Sequence, residues 1–129
     1  MRIPQRRKRE KMGVRVSAVI RCPSHLAHIR RLECAVKDRA LTNGHGITHV
    51  CGGPIEAAHV RTGTDGAMGM KPSDSWSLPL CQDSHRQQHQ IGEAMFEVMY
   101  RIDMKAIAAE LWKHSPAGIK YRKQQERTK

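Results

Sequence analysis

Apolar and polar positions in the second half of the chain follow two different periods. Over residues 75–80 apolar and polar side chains alternate, which predicts a half-buried strand, and Pro79 within it favours the edge of a sheet. Asp83 is a candidate cap for a helix that begins at Ser84, and from Ile91 onward apolar residues recur at steps of three and four, which is typical of a helix. The residues of this apolar stripe are Ile91, Ala94, Met95, Val98, Met99 and Ile102. Gly92 either separates two helices here or lies within one, and the sequence leaves both open.

The other predicted elements are short. Residues 24–32 predict a helix with a capping serine at its start, and the mostly apolar residues 54–60 predict a strand. The glycine-rich residues 62–74 predict a long loop, and residues 103–114 predict a last amphipathic helix capped by an aspartate. The order is helix, strand, loop, strand and helices, which predicts an α+β fold.

Composition predicts the size of the domain, its need for a stabilising metal and the class of its partner. The length of 129 residues is that of one ordinary domain, and only 4% of the residues are aromatic, so we expect a small aliphatic core that gains stability from a bound metal. The formal net charge is +11, with an isoelectric point near 10.1. Such an excess predicts a polyanionic partner, and nucleic acid is the first candidate.

The positive charge lies mainly at the two ends of the chain. Residues 1–11 and 120–129 carry most of the excess and lack apolar periodicity. We therefore predict basic disordered tails, at residues 1–20 and 116–129, around a folded domain at residues 21–115. The tails are either tethers to a phosphate backbone or solvated ends that aid solubility. The candidate nucleic-acid contacts in the tails and the domain are Arg6, Arg7, Lys8, Arg9, Lys71, Arg86, Lys120, Arg122 and Lys123.

The sequence predicts a cytoplasmic protein. No apolar run approaches the roughly 20 residues of a membrane span, and the charged first residues are not followed by the apolar segment of a secretory signal. Cysteines in a reducing compartment seldom form disulfides, so the four cysteines are interpreted as metal ligands or buried thiols.

Three of the eight histidines stand in an informative arrangement. His85 and His89 are one helical turn apart, so both imidazoles project from one face and either hold one metal ion or remain an exposed pair. His59 ends the first predicted strand, with Arg61 close behind it. A neutral imidazole there suits proton abstraction from water beside an arginine that binds phosphate, and the alternative is a satisfied strand histidine.

The combined motifs resemble the HNH endonucleases, the ββα-metal fingers, and most closely their small prophage-encoded members. The resemblance is carried by IEAAHVRTG at residues 55–63, MGMKPSDSWSLPLC at residues 68–81 and HRQQH at residues 85–89. It implies a ββα core at about residues 51–92 with flanking helices. By matching position it also implies that His59 is the general base, with Arg61 beside it, and that His85 and His89 bind one divalent cation.

The resemblance further implies an activity and a partner. The activity is metal-dependent hydrolysis of DNA phosphodiester bonds in phage or prophage DNA metabolism within a bacterial host cell. The cation is Mg²⁺, Mn²⁺, Ni²⁺ or Zn²⁺. The DNA is duplex, branched or single-stranded, and the nuclease acts as a monomer or a homodimer.

The chain departs from the family pattern at two positions. Ala58 stands where an aspartate or histidine often adds a metal ligand, and Trp76 stands where the asparagine of the family name is expected. Asp74, Ser75 or Ser77 is a candidate to brace the loop of the base, and Asp74 is also a candidate to complete the metal shell. Glu93, one turn beyond the second helix histidine, is a further candidate ligand.

Many HNH fingers also carry a structural zinc on two Cys-x-x-Cys pairs, and this chain has no such pair. A site formed by Cys34, Cys51 and Cys81 with His49, or with His45 in its place, would supply thiolates and an imidazole, which suit Zn²⁺. The alternative is that the cysteines are small buried thiols.

Two functions from different classes follow from these patterns. The first is the metal-dependent endonuclease, which requires the three histidines to meet at one place. The second is a non-catalytic, basic, zinc-containing module that binds nucleic acid.

Overall fold

The computed structural model describes residues 19–39, 50–66 and 70–127. Within these ranges the chain has an α+β fold with five α-helices and one two-stranded antiparallel sheet, so the α+β prediction is confirmed. None of these helices is both long and apolar enough to span a membrane. In chain order the elements are α1 (Pro23–Arg30), β1 (Ile55–His59), β2 (Ser77–Cys81), α2 (Gln82–Ile91), α3 (Glu93–Tyr100), α4 (Met104–His114) and α5 (Pro116–Arg127).

The sheet is the centre of the core. Its register pairs Ile55 with Cys81 at one end and His59 with Ser77 at the other. Every residue of β2 is buried, where alternation had predicted one exposed face. The reason is that α1, α2 and α4 all pack against this strand, so it lacks a solvent side. Trp76 precedes β2 in a short 3₁₀ turn (Asp74–Trp76) that ends the long loop.

Gly92 separates α2 from α3. Its φ of 87° lies in the region that glycine adopts without strain, and this breaks the helix there. The predicted apolar stripe is therefore wrong for α3: Met95 and Val98 are 55% and 65% exposed, whereas Phe96 and Tyr100 face the core. The break changes the rotation of α3 relative to α2, so a periodicity continued through Gly92 does not describe one face.

The prediction of a disordered C-terminal tail is wrong for residues 116–127, which form α5. The helix packs on α4 and α1, and Gly118 permits the close approach, since a Cβ atom there would lie 1.7 Å from the Trp112 carbonyl oxygen. The Trp112 and Tyr121 rings lie 5.6 Å apart. The packing rests on a few apolar side chains in a basic stretch, which is why periodicity did not reveal it. Residues 1–18 of the predicted N-terminal tail, with Arg6, Arg7, Lys8 and Arg9, lie outside the described residues.

His25 on α1 is a buried histidine without polar partners in the described structure. The side chain is fully buried, and neither ring nitrogen has a hydrogen-bond partner among the described residues. Its ring meets the Trp112 ring edge-on at 4.8 Å. Desolvation, followed by the nearby His28, lowers the pKa of His25 to about 4. The folded protein therefore holds this imidazole neutral under mildly acidic conditions.

We predict that His25 makes the fold sensitive to acid. Between pH 6.5 and pH 4 the unfolded chain binds a proton at His25 that the folded chain does not. Its contribution is thus fully present above pH 6.5 and is lost as the pH falls, by up to about 3 kcal/mol. Denaturant unfolding of wild type and His25→Leu at pH 7 and pH 4.5 measures this, and the variant should lose less stability. Equal losses in both proteins would contradict the account.

Candidate functional site

A cleft of about 690 Å³ opens between α1, β1, α2 and the end of the long loop. The three histidines predicted to meet, His59, His85 and His89, all line it. Arg61 and Lys71 line the same cleft, and both side chains are exposed. The structure therefore brings together a strand histidine, a helix histidine pair and two cations from separate parts of the chain.

His59 is held by a buried carboxylate. Its Nε2 lies 2.9 Å from Oδ1 of Asp74, which is 2% exposed and begins the 3₁₀ turn before β2. The other oxygen of Asp74 accepts a hydrogen bond from the Cys22 amide at 2.7 Å, and Arg21 Nη1 lies 3.6 Å from Oδ1. Asp74 thus lies beside the strand histidine and braces it.

The pKa values of this pair favour opposite charges on its two members. Burial raises the pKa of Asp74, but the hydrogen bonds from His59 and the Cys22 amide, with the charge of Arg21, outweigh it and leave the pKa lowered. Desolvation lowers the pKa of His59 despite that hydrogen bond, and Lys71 adds to the effect. At neutral pH the carboxylate is ionised and the imidazole is neutral. Since a carboxylate only accepts, Nε2 carries the proton and Nδ1 keeps a lone pair.

His85 and His89 face each other across one turn of α2. Their Nε2 atoms lie 3.2 Å apart. Two ligands bound to one tetrahedral ion at about 2.1 Å stand roughly 3.4 Å apart, so this spacing fits a shared cation. Among the described residues, neither Asp74 nor Glu93 joins the pair to form a group of three ligands.

Sequence reasoning missed Glu56, which orients His85. Glu56 Oε1 lies 3.0 Å from His85 Nδ1, which leaves Nε2 directed at His89. A carboxylate on the far nitrogen of a metal-binding histidine fixes its tautomer and raises its basicity. The signal in the sequence was a single acidic residue within the otherwise apolar run of β1.

The remaining basic candidates among the described residues do not line this cleft. Arg86 is exposed on α2 and does not line it. The α5 candidates Lys120, Arg122 and Lys123 are exposed and also lie outside its lining. Glu93 does line the cleft, but its carboxylate accepts hydrogen bonds from the backbone amides of the loop after β1.

Three of the predicted zinc ligands meet at the opposite end of the sheet. The Sγ atoms of Cys34, Cys51 and Cys81 all lie within 4.8 Å of one another, close enough to bind a metal ion. Thiolates at about 2.3 Å from a tetrahedral ion stand roughly 3.8 Å apart, so the group fits one cation. Desolvation, and then the neighbouring Cys34 and Cys81, raise the pKa of Cys51 to about 12. His49 lies outside the described residues.

No family model matches the chain, and neither the curated proteins nor the solved structures contain a match. The function is therefore inferred from the geometry of the cleft and of the cysteine cluster.

We predict that the cysteine cluster binds one cation. Cys34→Ser should weaken Co²⁺ binding at least tenfold and reduce the thiolate-to-cobalt absorption, because it removes one of three thiolates. Cys22→Ser is the matched control, since Cys22 lies outside the cluster and its sulfur contacts Ser24. Titration followed by absorption spectroscopy measures both variants. Equal affinities for Cys34→Ser and Cys22→Ser would show that the cluster does not bind the ion.

Proposed function

We propose that this chain is a metal-dependent endonuclease that hydrolyses DNA phosphodiester bonds. The observation that carries the proposal is that the imidazoles of His59, His85 and His89 line one cleft. Hydrolysis of a phosphodiester requires a base for the water, positive charge at the phosphate oxygens and stabilisation of the leaving oxygen. The cleft combines side chains suited to all three tasks.

His59 acts as the general base. Its Nδ1 accepts a proton from a water molecule, while Asp74 keeps the ring in place through Nε2 and stabilises the imidazolium that forms. The water oxygen bonds to phosphorus as the bond to the 3′ oxygen breaks. The 3′ oxygen then takes a proton from water, which leaves a 5′-phosphate and a 3′-hydroxyl. Arg61 and Lys71 bind non-bridging phosphate oxygens at the same cleft.

His85 and His89 would hold the catalytic cation, with Glu56 fixing the orientation of His85. A divalent ion bound there would supply positive charge for the phosphate and the leaving group. Among the described residues no third histidine, cysteine or carboxylate joins this pair as a ligand.

The charge of the chain supports DNA as the substrate. The net charge is +11, and exposed basic side chains occur both at the cleft and on α5. Nucleic-acid binding draws most of its affinity from such phosphate contacts. In this proposal Lys120, Arg122 and Lys123 bind the DNA backbone from a helix packed on the domain.

We further propose that the cation at the cysteine cluster is Zn²⁺, with His49 as its fourth ligand. Thiolate and imidazole donors in a tetrahedral arrangement suit zinc, and a site closed by four protein ligands is structural. This ion would link Cys51, before β1, to Cys81, at the end of β2.

The cysteine cluster and the basic helix α5 would also serve a non-catalytic nucleic-acid-binding module. Such a module has no use for an imidazole that a buried aspartate orients in the same cleft as a histidine pair. The two functions differ in whether the chain cuts DNA. The nuclease should lose cleavage but retain DNA binding when His59 is removed, whereas the binding module should not cleave DNA at all.

We predict that the full chain nicks plasmid DNA in the presence of Mg²⁺, Mn²⁺, Ni²⁺ or Zn²⁺, and that His59→Ala lowers the rate by about 10²- to 10⁴-fold. DNA affinity and cation affinity should change little, because the variant keeps Arg61, His85 and His89. Agarose-gel analysis of plasmid nicking gives the rate, and fluorescence anisotropy gives the DNA affinity.

His114→Ala is the control for this experiment. His114 is an exposed histidine on α4 whose ring contacts Glu110, and it lies outside the cleft. It should cleave DNA at the wild-type rate. Cleavage by His59→Ala at that same rate would reject His59 as the base, and binding without cleavage by wild type would favour the binding module.

A further inference from the structure

The loop that follows β1 is fixed through its carbonyl groups. The Thr64 hydroxyl lies 2.8 Å from the Val60 carbonyl oxygen and 2.8 Å from that of Arg61. The Thr64 amide also donates to the Arg61 carbonyl at 3.2 Å. These contacts form a tight turn immediately after the strand that carries His59.

The amide groups of the same loop are bound by Glu93. Its Oε1 accepts hydrogen bonds from the Arg61 amide at 2.8 Å and from the Thr62 amide at 3.0 Å. The Thr62 hydroxyl lies 3.3 Å from the same oxygen, and Oε2 lies 3.1 Å from the Arg61 amide. A single carboxylate therefore binds three donors of two consecutive residues.

The position of Glu93 in the chain means that these contacts connect the loop after β1 to the end of α2. It is the first residue of α3 and follows Gly92, at which the histidine-bearing helix α2 ends. The carboxylate thus joins the loop after His59 to the chain that leaves α2. Both Glu93 and Arg61 line the cleft, so the contact fixes the backbone of a cationic residue in its lining.

We propose that Glu93 is a positioning residue that holds Arg61 in place to bind a DNA phosphate. The proposal rests on the proposed function for its ligand. Among the described residues, Glu93 does not join His85 and His89 as a third metal ligand, and its carboxylate is bound to the loop amides. Hydrogen bonds between a carboxylate and backbone amides are strong and directional, so they set the position of the loop.

The test uses a substitution pair that separates charge from hydrogen bonding. Glu93→Gln and Glu93→Ala both remove one negative charge beside the DNA, but only glutamine keeps an oxygen that accepts from the two amides. Each is made in the full chain, alone and together with Arg61→Ala. Fluorescence anisotropy with a labelled DNA duplex, without added Mg²⁺, gives the dissociation constants, so the readout does not depend on cleavage.

We expect Glu93→Ala to bind DNA three- to tenfold more weakly than Glu93→Gln. That ratio should fall to about one when Arg61 is alanine, since Glu93 acts through Arg61. Affinity for Mn²⁺ should be equal in the two Glu93 variants. The proposal is overturned if the ratio is one in both backgrounds, if it persists without Arg61, or if the alanine variant alone loses the cation.

These binding measurements, taken together with the plasmid-nicking assay, separate this proposal from the endonuclease assignment. Wild type that binds DNA with the expected coupling but does not cut it keeps the role of Glu93 and rejects the nuclease. Wild type that fails to bind DNA overturns both.

Discussion

The antiparallel pairing of β1 with β2 sets the positions of both sites in this molecule. At one end, the pairing of Ile55 with Cys81 places the cysteine cluster beside the start of α2. At the other end, the pairing of His59 with Ser77 brings the His59 imidazole next to the turn that carries Asp74. A slip of one residue would turn every side chain of β1 to the opposite face, which would expose the core and bury the polar groups. The core itself therefore specifies the register that the cleft needs.

Asp74 is a buried carboxylate whose hydrogen bonds offset the cost of its burial. An unpaired carboxylate in the interior costs several kcal/mol, and each hydrogen bond to a charged group returns about 1.5–3 kcal/mol. Asp74 has one such bond to His59 and one to the Cys22 amide, with Arg21 close by. The same contacts join three segments, namely the residues just before α1, the long loop and the end of β1. The group that orients the proposed base is thus also one that holds three segments together.

Local patterns predicted the parts of this structure that depend on neighbouring residues. The two strands, the shared face of His85 and His89 and the cap of α4 by Asp103 follow from spacing and turn chemistry. The contacts of Glu56 with His85 and of Glu93 with the loop after β1 join residues about thirty positions apart, and no periodicity reports such pairs. The burial of β2 on both faces and the packing of α5 also depend on tertiary contacts, which composition alone does not reveal.

The proposed endonuclease requires a cation bound to the histidine pair inside the cleft that His59 lines. Anomalous diffraction at the zinc edge, from crystals of the full chain soaked in Zn²⁺, would locate such a cation. We expect one peak within about 2.1 Å of both Nε2 atoms of His85 and His89, and a second within about 2.3 Å of the three cysteine sulfurs. A single peak at the cysteines, with no density between the imidazoles, would reject a cation site at the histidine pair.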